Sequence, residues 1–517
     1  MLLWPFNKYP GTDYETYNWE WLIGIGKKME KALHDLFSDT GALHQMVDKV
    51  LGEHPEWTTT VMDGAITWNK LNSTLRAYVT PESFGAIGDG ESDDTAAFYD
   101  CCVYAGENGL IVLGAENSKY KIDTLGHTFS DVILKNVHII SRSSDTQEYI
   151  FTFENSTLEN ITIESVNDKA PAWSGGLTSQ SNVLLHLVDS NASNIVCKQI
   201  EGVSAEGRCC IDNITFRECS GGLNVVNTDM MDITNVDGEF IRFTDTTQFH
   251  AVYVGQNTSN VNIQNVSSDG NYYYPIHIFN SRIGENNPEH IYVNNIHIKN
   301  VVVDVVACNG DDIIIENLTL DRQPSNRFYF GYGNKQHFIN CDVNSVAGFH
   351  VLGNNILGNP AESDIILDDC DITFTNSGLL YASDATNTAN LTIKNSILKN
   401  AKNISLARKC KYESSNNKYI NPGRLFDNVG HQTIEFDITF KDDTFIDPTN
   451  DIYYAFGGII NMENVWIQDE REALLISTRS TDSAETTVNA SNVTFTKNWN
   501  HILGTMSGFQ NNVYNEI

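Results

Sequence analysis

The chain has 517 residues, with 33 basic against 66 acidic side chains and a formal net charge of −33. That balance excludes nucleic acid and anionic membrane surfaces as partners. Hydrophobic residues at 41% and aromatics at 10% support a folded core, and no apolar run approaches the ~18 residues needed to span a bilayer.

The N-terminus is rich in rings: Trp4, Phe6, Tyr9, Tyr14, Tyr17, Trp19 and Trp21 fall close together. It carries no basic segment followed by an apolar run, so no secretion signal is expected. Leu22, Ile25, Met29, Leu33 and Leu36 recur at helical spacing, which predicts a helix from about Glu20 to Phe37. A second helical piece is expected over Ala42–Leu51. Neither can bury its stripe alone, so self-association in a short bundle or docking on the chain's own domain is expected. His54 to Thr80 reads as a neck, with Trp57 and Trp68 as packing anchors.

The chain is organised around Ser83–Phe98, SFGAIGDGESDDTAAF. Gly85, Gly88 and Gly90 suit tight turns, and Asp89 suits an Asx turn. Ser92 or Asp93 can cap a following helix, with Asp93 and Asp94 against its positive end. Ala97, Phe98, Cys101, Cys102 and Ala105 give that helix a buried face. Gly106 and Gly109 end it, and Leu110–Leu113 reads as the first buried strand. A turn, a short helix and a strand close the end of a solenoid, whose terminal repeat must be atypical.

The stretch matches the pattern FGA-x-GDG-x-x-DDT-x-A at every fixed position. It resembles the start of the pectate-lyase-like right-handed parallel β-helix of phage tailspikes, tail appendages and polysaccharide-cleaving enzymes. The motif is a cap and speaks to fold, not to activity. Asn18–Met29, NWEWLIGIGKKM, more loosely resembles the start of appendage proteins of short-tailed phages, which implies virion attachment through the exposed rings.

From about Tyr120 the chain repeats a phrase of apolar-x-apolar, Asn, apolar-x-apolar, as in LENITIES (Leu158–Ser165) and IIIENLTLD (Ile313–Asp321). Phrases recur roughly every 22 to 30 residues, a β-solenoid period. Asn160, Asn213, Asn295, Asn317, Asn395, Asn464 and Asn492 are expected to turn a corner in left-handed backbone and to ladder with one another. About twelve rungs would span about 55 to 60 Å. The fold expected is all-β, a right-handed single-stranded parallel β-helix with a short α-helical N-terminal region. Its organisation reads as 1–53 helical attachment and trimerisation segment, 54–80 neck, 81–405 capped β-helix, and 406–517 C-terminal rungs and trimer contacts, because the phrase loosens after about Lys402.

Ten cysteines show no CxxC and no Cys/His metal spacing. They read as reduced, small apolar residues in the interior, as expected of a protein made in a host cytoplasm. Neither Cys101-Cys102 nor Cys209-Cys210 is expected to place both members on one face.

Asn227-Thr228-Asp229 and Gly310-Asp311-Asp312 look like a polygalacturonase signature, but lie more than eighty residues apart. They are set aside as several rungs too distant. Asp269–Arg327 is the better candidate. Tyr272, Tyr273 and Tyr274 would stack sugar rings, with Glu289, His290, Arg322 and Arg327 as further contacts. Asp269, Asp304, Asp311 and Asp312 would supply acid and base for glycoside hydrolysis, if they share a face. A lyase would need Arg322, Arg327 or a Ca²⁺ ion to neutralise a uronate; otherwise no cofactor or metal is implied. His277 and His297 read as packed strand residues, and His250 and His350 show no partner.

The resemblance implies a homotrimeric phage tail spike or appendage on the virion. It would contact tail or connector proteins through its N-terminus and bind, or bind and depolymerise, a bacterial surface polysaccharide. A non-enzymatic structural adhesin and a secreted pectin-type lyase or hydrolase are the alternatives.

Overall fold

The computed structural model describes residues 78–123, 126–141, 151–165, 185–200, 202–219, 221–240, 250–270, 274–280, 285–301, 304–321, 327–346, 348–351, 363–375, 381–382, 388–402, 409–427, 435–449, 453–454, 458–468, 476–477 and 486–495. By compactness the chain falls into two units, Met1–Leu75 and Arg76–Ile517. The expected N-terminal helices and nearly all of the neck lie outside the described residues, and the following concerns the second unit.

That unit is built from short strands, and every pairing among them is parallel. The described strands form a 26-stranded sheet, an 11-stranded sheet running from His127–Ser130 to Tyr381–Ala382, and a three-stranded sheet of Phe426–Asp427, Tyr453–Tyr454 and Ile476–Ser477. Each strand pairs with its equivalent in the next coil, so the expected parallel β-helix is borne out.

Each coil turns a corner at a left-handed residue. All seven asparagines named from the sequence have φ between 53° and 59°. Asn tolerates this backbone, and its amide also links the rungs. Nδ2 of Asn160 donates to Asn136 Oδ1 at 2.9 Å, Asn194 to Asn160 at 2.9 Å, and Asn213 to Asn194 at 2.7 Å. The ladder resumes at Asn235–Asn265–Asn295 and at Asn464–Asn492. Corner residues lie 19 positions apart between Asn194 and Asn213, yet 34 apart between Asn160 and Asn194. The residues between corners absorb the difference.

Alternate residues point inward. The position after the corner asparagine is Ile161, Ile195, Ile214, Val236, Val266 and Ile296 in successive coils, each at most 1% exposed. Burial of such a side chain is worth about 1.5–3 kcal/mol. Higher up the same position becomes Cys341, Cys370, Ser396, Asn417 and Asp443, all buried. Polarity is tolerated there because the rungs satisfy one another: Cys370 N–H donates to Ser396 Oγ at 3.0 Å, Ser396 N–H to Asn417 Oδ1 at 2.8 Å, and Asn417 N–H to Asp443 Oδ1 at 2.7 Å.

The cap forms largely as its residues dictate. Gly85, Gly88 and Gly90 have φ of 102°, 70° and 78°. Asp89 Oδ1 accepts from Glu91 N–H at 2.8 Å and Ser92 N–H at 2.7 Å, closing the Asx turn. Helix α1 (Thr95–Asn108) starts one residue later than expected, with Asp94 at its N-cap position. Asp93 takes the Thr95 N–H at 3.0 Å, while the buried Asp94 carboxylate turns back to clasp Ile87 N–H at 2.6 Å and Gly88 N–H at 3.1 Å. Phe98 of α1 plugs the open end of the solenoid against Tyr120, Phe129 and Phe151, with ring centroids at 5.8, 6.4 and 5.7 Å.

Several expectations are corrected. The first described strand, Tyr78–Val79, pairs with Ile111–Val112. Among the described residues seventeen strands stack from Tyr78–Val79 to Thr486–Ser491, against about twelve rungs expected. The ladder is therefore about 75 Å long, and Thr388–Lys394 pairs with Lys409–Ser415 within it. Cys101 and Cys102 are both fully buried, since a helix presents adjacent residues to one broad face; Cys209 and Cys210 do split between inside and outside. His297 points outward, 3.3 Å from Asp321.

Candidate functional site

The second sheet runs into the long sheet at a separate corner, where polar residues stack from coil to coil. Thr228 bridges Thr258 in parallel, Ser259 pairs with Glu289, and Glu289 pairs with Asp311. Asp229, Ser259, Glu289 and Asp311 therefore form one column in register, with neighbouring backbones about 4.8 Å apart. Strand pairing holds their backbones, so the column is rigid without a ligand.

Beside this column runs an open groove of about 510 Å³, lined by Asp189, Arg208, Asn227, Asp229, Asn257 and Glu289 among others. Arg208 meets Asp229 with both prongs, Nε to Oδ1 at 3.2 Å and Nη2 to Oδ2 at 3.1 Å. The guanidinium holds the Asp229 carboxyl below its usual range. Asp189 Oδ1 accepts Arg208 N–H at 2.8 Å. Asn227 Nδ2 donates to Glu206 Oε1 at 3.1 Å, and His186 Nε2 sits 3.3 Å from Glu206 Oε2. These contacts, His186 foremost, hold Glu206 below the usual carboxylate range. Asn257 Nδ2 reaches Asn227 Oδ1 at 3.3 Å and also donates to Glu285. Met230, the residue after Asp229, is 52% exposed. The groove thus offers amides, hydroxyls and carboxylates on a fixed frame, the donor and acceptor mixture that sugar hydroxyls require.

The residues chosen from the sequence do not share one face. Glu289 lines the groove, and Asp311 continues its column. Asp312 and His290 sit together at the next position, both with positive φ, Oδ2 and Nδ1 being 2.7 Å apart. Asp269 is at the far end of its strand, in register with Glu239 and Lys299, where Asn300 Nδ2 donates to it at 2.7 Å. Asp304 is 1% exposed and paired with Arg327, whose side chain is 27% exposed. Tyr274 is buried, its ring 5.0 Å from that of His277, so it offers no platform for a sugar. Tyr272, Tyr273 and Arg322 lie outside the described residues. His277 is packed as expected, but against a second imidazole: its Nδ1 is 3.1 Å from Nδ1 of His250. The side chain of His350 is outside the described residues.

The sequence reading missed Asp189, Arg208 and Asn257, and set Asp229 aside. The signal was present: counting back the same number of residues from Asn235, Asn265, Asn295 and Asn317 lands on Asp229, Ser259, Glu289 and Asp311. The two tripeptides are three coils apart, as their spacing implied, yet they share one column. Among the described residues, no group of three or more His, Cys, Asp or Glu is placed to hold a metal ion, and no helix is long and apolar enough to cross a membrane.

No protein-family model and no curated protein matches the chain. Solved structures similar to it include pre-mature gene product 12 of bacteriophage phi29, at 14% identity and a TM-score of 0.47, covering 81% of this chain and 66% of that one. The chain thus spans just under two thirds of the phi29 protein. A tailspike protein of E. coli bacteriophage HK620, a double mutant, is similar at 10% identity and a TM-score of 0.44, covering 81% of this chain and 80% of that one. An endo-xylogalacturonan hydrolase from Aspergillus tubingensis is similar at 12% identity and a TM-score of 0.28, covering 84% of this chain and all of that one. The assignment of fold rests on the strand registers above, independently of these likenesses.

Proposed function

We propose that the chain is a receptor-binding tail spike or appendage of a phage virion, whose β-helix holds a bacterial surface polysaccharide along the column Asp229–Ser259–Glu289–Asp311. The observation that carries this reading is the open groove: polar groups repeat at the rung spacing beside a frame that needs no ordering on binding. The cap motif and the aromatic N-terminal text point the same way, toward virion attachment through the first 53 residues and assembly as a homotrimer. Hydrolysis of the glycan is favoured by the register of Glu289 and Asp311. That register places two carboxylate-bearing positions on adjacent rungs, and glycoside hydrolysis needs a pair of carboxyl groups.

The test is incubation of the full-length chain with surface polysaccharides stripped from candidate host bacteria. Retention of polysaccharide with new reducing ends and no unsaturated uronates is expected. Glu289→Gln should lower cleavage by about 10² or more while leaving the melting temperature in place. Retention without new ends would leave an adhesin, and no retention of any surface glycan would sink the reading.

A further inference from the structure

We infer that the glycan segment lying in the groove is uncharged, which excludes polyuronates and eliminative cleavage. This rests on the proposed glycan-binding reading and narrows it to a substrate class.

The inference comes from the balance of charge in the groove. Among its described lining residues are three carboxylates, Asp189, Asp229 and Glu289, and one cation, Arg208. Arg208 is already committed: its guanidinium is forked onto Asp229, and its own N–H is on Asp189. Two further carboxylates flank the groove through its asparagines, Glu206 on Asn227 and Glu285 on Asn257. Along the same corner the next described lysine or arginine is Lys335, a coil beyond Asp312. An anionic sugar would thus meet surplus negative charge and a guanidinium that must first abandon Asp229. The net charge of −33 adds a repulsive long-range field.

A neutral sugar meets the opposite situation. Its hydroxyls donate to carboxylate and amide oxygens, and carboxylates are the stronger acceptors for such donors. Met230, next to Asp229 in the chain and exposed, offers apolar surface to the side of a sugar ring. Eliminative cleavage by the groove's own side chains fails on the same grounds. Removing the proton beside a uronate carboxylate requires a cation on that carboxylate, and the groove's described cation is engaged.

The test measures retention of matched-length oligosaccharides by the full-length chain, at low and high salt. The probes are neutral hexose oligomers, N-acetylhexosamine oligomers, oligogalacturonate and oligoalginate. Neutral or N-acetylated oligomers should bind about tenfold or more tightly than either uronate, with affinity nearly independent of salt. Glu289→Lys should narrow that preference. Uronate binding equal to or tighter than neutral binding, weakened by salt, would overturn the inference and leave the glycan reading standing. Retention of no probe would count against both.

Discussion

The Asp304 carboxylate takes both prongs of the Arg327 guanidinium, Nε on Oδ1 at 2.7 Å and Nη2 on Oδ2 at 2.5 Å. The pair ties the segment leading into Val306–Cys308 to the strand Arg327–Gly331 of the next coil, so Asp304 fastens one coil to the next. Its two ends are unequal, because Asp304 is sealed and Arg327 reaches solvent. Arg327→Ala, which leaves a buried charge unmatched, should destabilise by about 3–5 kcal/mol. Asp304→Asn, which keeps an acceptor and lets the arginine turn to water, should cost about 1–3 kcal/mol. Denaturant unfolding of both variants checks the order. Equal or reversed costs would contradict the account.

Asn265 performs two tasks at its corner, and the tasks can be separated. Its φ is 61°, its Nδ2 donates to Asn235 at 2.9 Å, and its Oδ1 accepts from Asn295 at 2.7 Å. Asn265→Ala loses both hydrogen bonds and strains the backbone, for about 2–4 kcal/mol in all. Asn265→Gly loses only the bonds, so it should be less destabilised than Ala by about 1 kcal/mol. Unfolding midpoints report the difference, and a Gly variant no better than Ala would show that the left-handed corner carries no strain.

Stability should respond to pH through two buried sites of opposite sign. Burial pushes the Asp443 carboxyl up to about 7, against about 3.9 when unfolded. Between those values the folded state holds a proton that the unfolded state has lost. Its contribution is therefore fully present below about pH 4 and is lost as pH rises toward 7, by about 1.4 kcal/mol per unit. Burial lowers His250 to about 4 and His277 well below its usual value. Their contribution is present above about pH 6.5 and is lost as pH falls. Asp443→Asn should accordingly melt higher than the parent at pH 8 and lose that advantage by pH 4.5, whereas His277→Phe should gain most at acid pH. Differences in melting temperature that do not move with pH would refute both assignments.

Of the nine cysteines whose side chains are described, all are free and only Cys210 is exposed. Burial raises the Cys101 and Cys308 thiols to about 12 and the Cys209 and Cys219 thiols to about 11. Thiolate is the reactive form, so a thiol reagent at neutral pH should label Cys210 in the native protein and leave these four unmodified. Peptide mass mapping decides it, and rapid native labelling of Cys219 would show that the coil opens.

The cap and the corners were legible because local chemistry dictates them: a positive φ calls for Gly or Asn wherever it falls. The groove column was half legible, since its members stand at a fixed offset from the corner asparagines, but it had to be read against the rungs and not against linear distance. Asp304 misled because a buried, forked carboxylate looks like any other aspartate until its partner arrives from the next coil. The phrase loosens at the corners Asn416 and Asp442 because Asn417 and Asp443 replace apolar residues inside, and only the hydrogen bonds between rungs make that tolerable. The His250–His277 contact left no trace at all, as it joins a loop residue to the outer side of a strand.

The unequal coil lengths carry a consequence for how such a chain can change. Residues gained or lost between Asn160 and Asn194 do not propagate, because the left-handed asparagine resets the phase before the next strand is laid down. The molecule counts corners, not residues. An insertion there is forgotten one coil later, so a crossover can be rewritten while the groove's alignment of Asp229 with Glu289 and Asp311 is inherited intact.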